Sequence, residues 1–101
     1  MLAHSVPHIS RIMSITHADF LRTLAEAVSG CDYRVQGNEI FVSLDSDAGV
    51  HIQLGEEHNR RVEPTVILPE VQVDMDFVGL TEDEAGMFVQ RFDRYFQSSA
   101  E

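Results

Sequence analysis

The chain has 101 residues, of which 44% are hydrophobic, so it can form one domain with a real core. It is too short for a (β/α)₈ barrel or a two-domain nucleotide-binding enzyme. Seventeen acidic against seven basic residues give a formal charge of −10, which repels nucleic-acid phosphates and anionic lipid surfaces. We therefore expect no nucleic-acid partner and no membrane partner.

The first fourteen residues show neither a helical nor a strand period, and we expect residues 1–14 to form a disordered extension. They lack the continuous apolar segment of a secretory signal, which favours a cytoplasmic location. Cys31 is the single cysteine, so no intramolecular disulfide is possible and a reducing compartment fits. All seven basic residues are arginine, a bias often seen in GC-rich bacterial genomes.

The first helix is predicted over residues 17–29. Thr16 is placed as its N-cap, and Ile15 can pack against Phe20 across that cap. Gly30 supplies a residue that readily adopts the left-handed conformation in which helices often end. The apolar side chains recur at helical spacing on one stripe: Phe20, Leu21, Leu24, Ala25 and Val28.

From residue 31 the apolar period changes to two, which is typical of half-buried strands. The alternation predicts five strands. Turns are expected at Gly37-Asn38 and at Pro69-Glu70, with longer loops over Asp45–Gly49 and Gly55–Asn59. If Gly37-Asn38 is a two-residue turn, Arg34 lies opposite Phe41.

The second helix has the clearest start signal, because Thr81 and Glu84 have the spacing of a capping box. Its apolar residues form one broad face: Ala85, Phe88, Val89, Phe92, Tyr95 and Phe96. The short connections between strands exclude parallel crossovers. We therefore predict an α+β fold, a five-stranded antiparallel meander with the N- and C-terminal helices packed on one face. The domain spans residues 15–97, and residues 98–101 form a flexible tail.

The opposite face of this sheet has no element left to cover it, so its side chains meet water or a partner. The predicted registers also place Glu63 opposite Asp76 and Thr65 opposite Asp74, which gives the face an acidic region. Two interpretations are open, a solvated polar face and a docking surface for a partner with a basic surface. The residues predicted to bind that partner are Arg34, Phe41, His51, Glu63, Asp74 and Asp76.

Catalytic motifs are weak throughout. Asp45–Gly49 resembles the start of a calcium loop but lacks glycine at the required position. His51 is expected across from Ser43, yet no third group is at hand to orient its imidazole. Cys31 is best explained as a small buried hydrophobic residue. We assign no catalytic residue, no cofactor and no metal ligand.

The leading hypothesis is a small acidic protein-interaction or chaperone-like adaptor module that acts through its open acidic face, as a monomer or weak homodimer. Self-association through Phe41, Ile67 and Val78 is a variant. In size, acidity and α+β build the chain is similar to bacterial type III secretion chaperones, although that family has a helix between strands that residues 55–61 are too short to supply. One alternative is a small-molecule binder or small enzyme with a pocket between sheet and helices that has Tyr33 or Tyr95 at its mouth. Another is a divalent-cation module at Glu63, Asp74 and Asp76.

Overall fold

The computed structural model of the protein describes residues 8–99. It has an α+β fold, with six antiparallel strands and two helices. The elements in chain order are β1 (His8–Met13), α1 (His17–Ala27), β2 (Asp32–Gln36), β3 (Glu39–Asp45), β4 (Ala48–Leu54), β5 (His58–Glu63), β6 (Val66–Val78) and α2 (Glu82–Ser99). The strand order across the sheet is β1-β6-β4-β3-β2, and β5 pairs with the first part of β6.

Both helices begin at the caps that the sequence predicts. The Thr16 hydroxyl accepts a hydrogen bond from the Asp19 amide at 3.1 Å, and Gly30 adopts a φ of +93° after α1. At the start of α2, the Thr81 amide donates to the Glu84 carboxylate at 2.9 Å. The Glu84 amide donates in return to the Thr81 hydroxyl at 3.1 Å.

The helices lie on the same face of the sheet, as predicted. Phe20 and Leu24 of α1 and Phe92 of α2 are at most 1% exposed, and they share one core with the inward residues of β3, β4 and β6. The Phe20 ring lies 6.0 Å from that of Phe92 and 5.0 Å from that of Phe96. Within residues 8–99, no helix is both long and apolar enough to cross a membrane.

The predicted meander is close to the observed sheet, and its first hairpin has the predicted register, but its last turn lies elsewhere. Arg34 lies opposite Phe41, as predicted, because Gly37 adopts the positive φ of a tight turn. Pro69-Glu70, however, is not a turn, and β6 runs unbroken from Val66 to Val78. The chain reverses instead at Pro64-Thr65, so Glu63 pairs with Val66 and not with Asp76. A proline suits the second position of a turn because its φ is already fixed near the required value.

Because the chain reverses at Pro64-Thr65, β5 and the first part of β6 form a projecting hairpin. We call this hairpin the arm, and it consists of β5, the Pro64-Thr65 turn and Val66–Glu70. Every residue of the arm from His58 to Leu68 is exposed. Pro69 is tolerated inside a strand here because β6 has a neighbour on one side only at this point.

A sixth strand was not predicted. Residues 8–13, expected to belong to a disordered extension, form β1 and pair antiparallel with β6, Ile9 opposite Met75 and Met13 opposite Val71. Their alternation brings Ile9 and Met13 against the core, and the Arg11 guanidinium forms an ion pair with the Asp93 carboxylate of α2. Residues 1–7 of the predicted extension lie outside the described residues. At the other end, α2 continues to Ser99, past the predicted end of the domain at 97, and residues 100–101 are outside the described part.

Candidate functional site

The face of the sheet that turns away from the helices is the candidate site, and we call it the open face. It is built from alternate residues of five strands, and none of the elements described between residues 8 and 99 lies over it. Its polar and aromatic side chains are His8, Ser10, Asp32, Arg34, Gln36, Glu39, Phe41, Ser43, His51, Gln53, Gln72, Asp74 and Asp76.

The centre of the open face is one cross-strand row. The residues in register, one from each strand, are His8, Asp76, His51, Phe41 and Arg34. Each strand therefore contributes one member, and neighbouring side chains lie within contact distance across the sheet.

Three of the contacts within the row are specific. His8 Nδ1 lies 2.6 Å from a carboxylate oxygen of Asp76. The His51 imidazole stacks on the Phe41 ring with centroids 4.5 Å apart and planes 5° from parallel. The Arg34 guanidinium carbon lies 5.1 Å from the centre of the Phe41 ring, a cation–π distance.

A second row supports the first with hydrogen bonds. The Ser10 hydroxyl donates to an Asp74 carboxylate oxygen at 2.5 Å, and the Gln72 amide donates to the other Asp74 oxygen at 3.3 Å. His51 Nε2 lies 2.8 Å from a Glu39 carboxylate oxygen. Three carboxylates of the face, Glu39, Asp74 and Asp76, are thus held by their neighbours, which fixes their orientation before any partner arrives.

The electrostatics of the open face are acidic. It carries four carboxylates, Asp32, Glu39, Asp74 and Asp76, against the single guanidinium of Arg34. The hydrogen bond to Asp76 raises the pKa of His8 above its ordinary value, and the negative charges of Asp76 and Asp74 act in the same direction. His8 is therefore a cation over a wider pH range than a free histidine.

A depression of about 310 Å³ lies beside the row, between Phe41 and His51 and the β3–β4 turn. Gly49 is one of the residues that line it, and a side chain at this position would collide with the Val42 carbonyl of the neighbouring strand. Phe41, His51 and Val78 give it apolar and aromatic walls, and the turn residues Asp45 and Asp47 contribute carboxylates. This combination fits the apolar stem and charged head of a lysine or arginine side chain.

The arrangement does not activate a nucleophile. The Ser10 hydroxyl donates its hydrogen bond to the Asp74 carboxylate and not to an imidazole. The predicted register of His51 was wrong by two residues, since His51 lies opposite Phe41 and Ser43 lies opposite Gly49. No serine and histidine on this face therefore form a hydrogen-bonded pair of the kind that covalent catalysis needs.

The structure does not bring together the three carboxylates of the predicted cation site, Glu63, Asp74 and Asp76. Glu63 pairs with Val66 near the tip of the arm, and the eight residue steps from Val66 to Asp74 span about 26 Å of extended strand. Across residues 8–99, no group of three histidine, cysteine or carboxylate side chains is placed to hold a metal ion. Arg34, Phe41, His51, Asp74 and Asp76 come together on the open face, and Glu63 does not.

Sequence reasoning missed His8, Ser10 and Glu39 as members of the site. The signal for the first two was present in the alternation of His8, Ser10 and Ile12 with Ile9, Arg11 and Met13. This alternation was a weak signal because Arg11 takes one of the inward positions, where an apolar residue is expected. The structure explains the arginine there by its ion pair with Asp93.

A larger depression, of about 490 Å³, lies at the base of the arm on the helix side of the molecule. It is lined mainly by the β1–α1 connection and by Leu68, Pro69 and Phe96. Neither Tyr33 nor Tyr95, which were expected at the mouth of a pocket, is part of its lining. The space between sheet and helices is instead filled by the aromatic core.

Comparison with protein-family models, with curated proteins and with solved structures gives no significant match.

Proposed function

We propose that the protein is a protein-binding module that uses the open face to hold a basic segment of another polypeptide. The observation that carries this proposal is the row His8–Asp76–His51–Phe41–Arg34, an ordered set of polar and aromatic side chains on a sheet face that no described element covers. Because these side chains are already ordered by one another, a partner that packs on them loses less conformational entropy than it would on a mobile face.

The chemistry of the face favours a partner with lysine or arginine side chains. Its carboxylates outnumber its single guanidinium, and the net charge of −10 on the whole chain steers a basic partner toward it. The Phe41 ring and the depression beside Gly49 offer apolar contact for the stem of such a side chain. An aromatic anchor surrounded by polar groups is the usual composition of a binding hot spot.

The proposal can be tested by recovering partners by pull-down at low salt and mapping the contact by cross-linking and NMR shifts. We expect the partner segment to perturb the amides of β3, β4 and β6, and its affinity to fall as salt rises. Replacing Asp74 and Asp76 by asparagine removes two charges and retains the size of both side chains. The Asp74→Asn, Asp76→Asn double variant is expected to weaken binding at least about tenfold.

The matched control is the Glu26→Gln, Glu56→Gln double variant, which removes two exposed carboxylates outside the open face. It should bind nearly as well as the unmodified chain. Equal loss of binding in both double variants would show that only overall charge matters. Perturbed amides confined to the helices would place the partner elsewhere, and either result would refute the proposal.

A further inference from the structure

The most exposed apolar region of the protein is the arm, and nothing in the proposed function uses it. Four of the nine large exposed hydrophobic side chains of the described chain belong to the arm: Val62 at 54%, Val66 at 37%, Ile67 at 53% and Leu68 at 39% exposed. A two-stranded hairpin with this composition is marginal in water without something to pack against.

One main-chain edge of the arm is unpaired. β5 continues on the side of β6 that β4 occupies, because Leu54 pairs with Val73, the Gly55 amide donates to the Gln72 carbonyl, and His58 pairs with Glu70. On the other side, β1 ends at Met13 opposite Val71. Among residues 8–99, no strand therefore lies beside the outer edge of Val66–Glu70, which can accept a further strand.

We propose that a second copy of this chain occupies that edge, and that two arms pair antiparallel about a two-fold axis near Ile67. Antiparallel pairing of a segment with itself is isologous, so each contact is made twice. The arm extends about 17 Å from Glu70 to Thr65. With the axis near its middle, the tip of each arm reaches the base of the other.

The base of the arm has a shape that suits such a tip. The 490 Å³ depression lies beside the outer edge, between Leu68 and Pro69 of the arm and the β1–α1 connection. Met13, Ile15 and Phe96 give it apolar walls. The exposed Val62 side chain near the tip of the second copy supplies an apolar group that can enter it.

The charges of the chain also favour a second copy at this place. Arg60 and Arg61 balance Glu63 and Glu70, so the arm has a formal charge of zero, and the whole charge of −10 belongs to the rest of the chain. Two copies therefore meet with the least repulsion at their arms. Arg61, near the tip, would approach Asp19 at the rim of the depression, a carboxylate that is 55% exposed beside Arg22.

The test is the oligomeric state of the full chain, measured by analytical ultracentrifugation over a wide range of concentration. We expect a dimer of twice the monomer mass. Ile67→Asp should raise its dissociation constant by about 30-fold or more, because a central apolar contact is replaced by a desolvated charge on each copy. Met87→Asp introduces the same charge at a side chain that is 69% exposed on α2, and it should leave the dimer intact.

A cross-linking experiment locates the axis. In a Cys31→Ser background, Ile67→Cys should form a disulfide-linked dimer on mild oxidation, and Met87→Cys should not. A monomer at every concentration would overturn the proposal. A dimer that survives Ile67→Asp, or that cross-links equally through position 87, would overturn the arm as its site. None of these outcomes depends on the open face, so they are separable from the test of the proposed function.

Discussion

The imidazole of His51 lies flat on the ring of Phe41, with centroids 4.5 Å apart and planes 5° from parallel. The two residues are direct cross-strand neighbours on β4 and β3. The Arg34 guanidinium contacts the same ring from β2, so Phe41 is held from both sides. An aromatic side chain held in this way loses little conformational entropy when a partner packs against it.

Phe41→Ala is expected to destabilise the fold by about 1 kcal/mol, since it removes an aromatic stack and a partly exposed cation–π contact. Urea unfolding measures this loss. A double-mutant cycle with His51→Ala isolates the stacking energy, which should be about 0.5–1.5 kcal/mol. Phe41→Leu is the control, because it keeps apolar area and loses the ring. A coupling energy indistinguishable from zero would mean that the stacking contributes nothing.

The pKa of His8 should lie above 6.5, its ordinary value, because the imidazole is hydrogen-bonded to the Asp76 carboxylate. A raised pKa in the folded state means that protonation favours folding. The contribution is complete below pH 6.5 and is lost as the pH rises through the raised pKa. NMR titration of the His8 ring measures the shift.

Asp76→Asn is the control for this titration, since it removes the negative charge and the charged acceptor. The pKa of His8 should move back toward 6.5 in that variant. An unchanged midpoint would show that Asp76 is not the cause. His58 provides an internal comparison on the arm, because its hydrogen bond to Glu70 likewise raises its pKa and should be unaffected by Asp76→Asn.

Phe20→Ala should cost about 3–5 kcal/mol, because the side chain is fully buried among Phe92 and Phe96 and its removal leaves a cavity. That is a large share of the roughly 5–15 kcal/mol typical of a domain of this size. Thermal and urea unfolding report the loss. Met87→Ala, at a side chain that is mostly exposed, should change stability by less than about 0.5 kcal/mol. Similar losses in the two variants would contradict the assignment of the core.

Two glycines should respond in opposite ways to alanine. Gly86 lies inside α2 with nothing within 4 Å of an added methyl group, so Gly86→Ala should stabilise the fold by up to about 1 kcal/mol. Gly79 has a φ of +72°, and an added methyl group there would collide with the Asp47 carbonyl. Gly79→Ala should cost more than about 1 kcal/mol. The denaturation midpoints of the two variants measure these changes. A shift in the same direction for both variants would contradict the prediction.

Local patterns in the sequence determined most of the secondary structure. The capping residues Thr16 and Thr81 fixed where the helices begin, because a side-chain oxygen at that position satisfies amides of the first turn. The Gly37-Asn38 turn fixed the register that sets Arg34 opposite Phe41. The alternation of apolar residues determined which side of each predicted strand is buried, since successive side chains point to opposite faces.

Tertiary structure decided what those patterns left ambiguous. Pro64 and Pro69 are both compatible with a turn, and only the continuous pairing of β4 and β5 along β6 selects Pro64. Because the turn lies at Pro64, Glu63 is far from Asp74 and Asp76, and β5 forms the arm with the first part of β6. The apolar alternation in residues 8–13 is too weak to predict a strand. The segment forms β1 because it pairs with an edge of β6 that would otherwise be free, and because Arg11 forms an ion pair with Asp93 of α2. Contacts between residues distant in sequence cannot be inferred from local spacing, so the membership of His8 and Ser10 in the open face was decided by the fold alone.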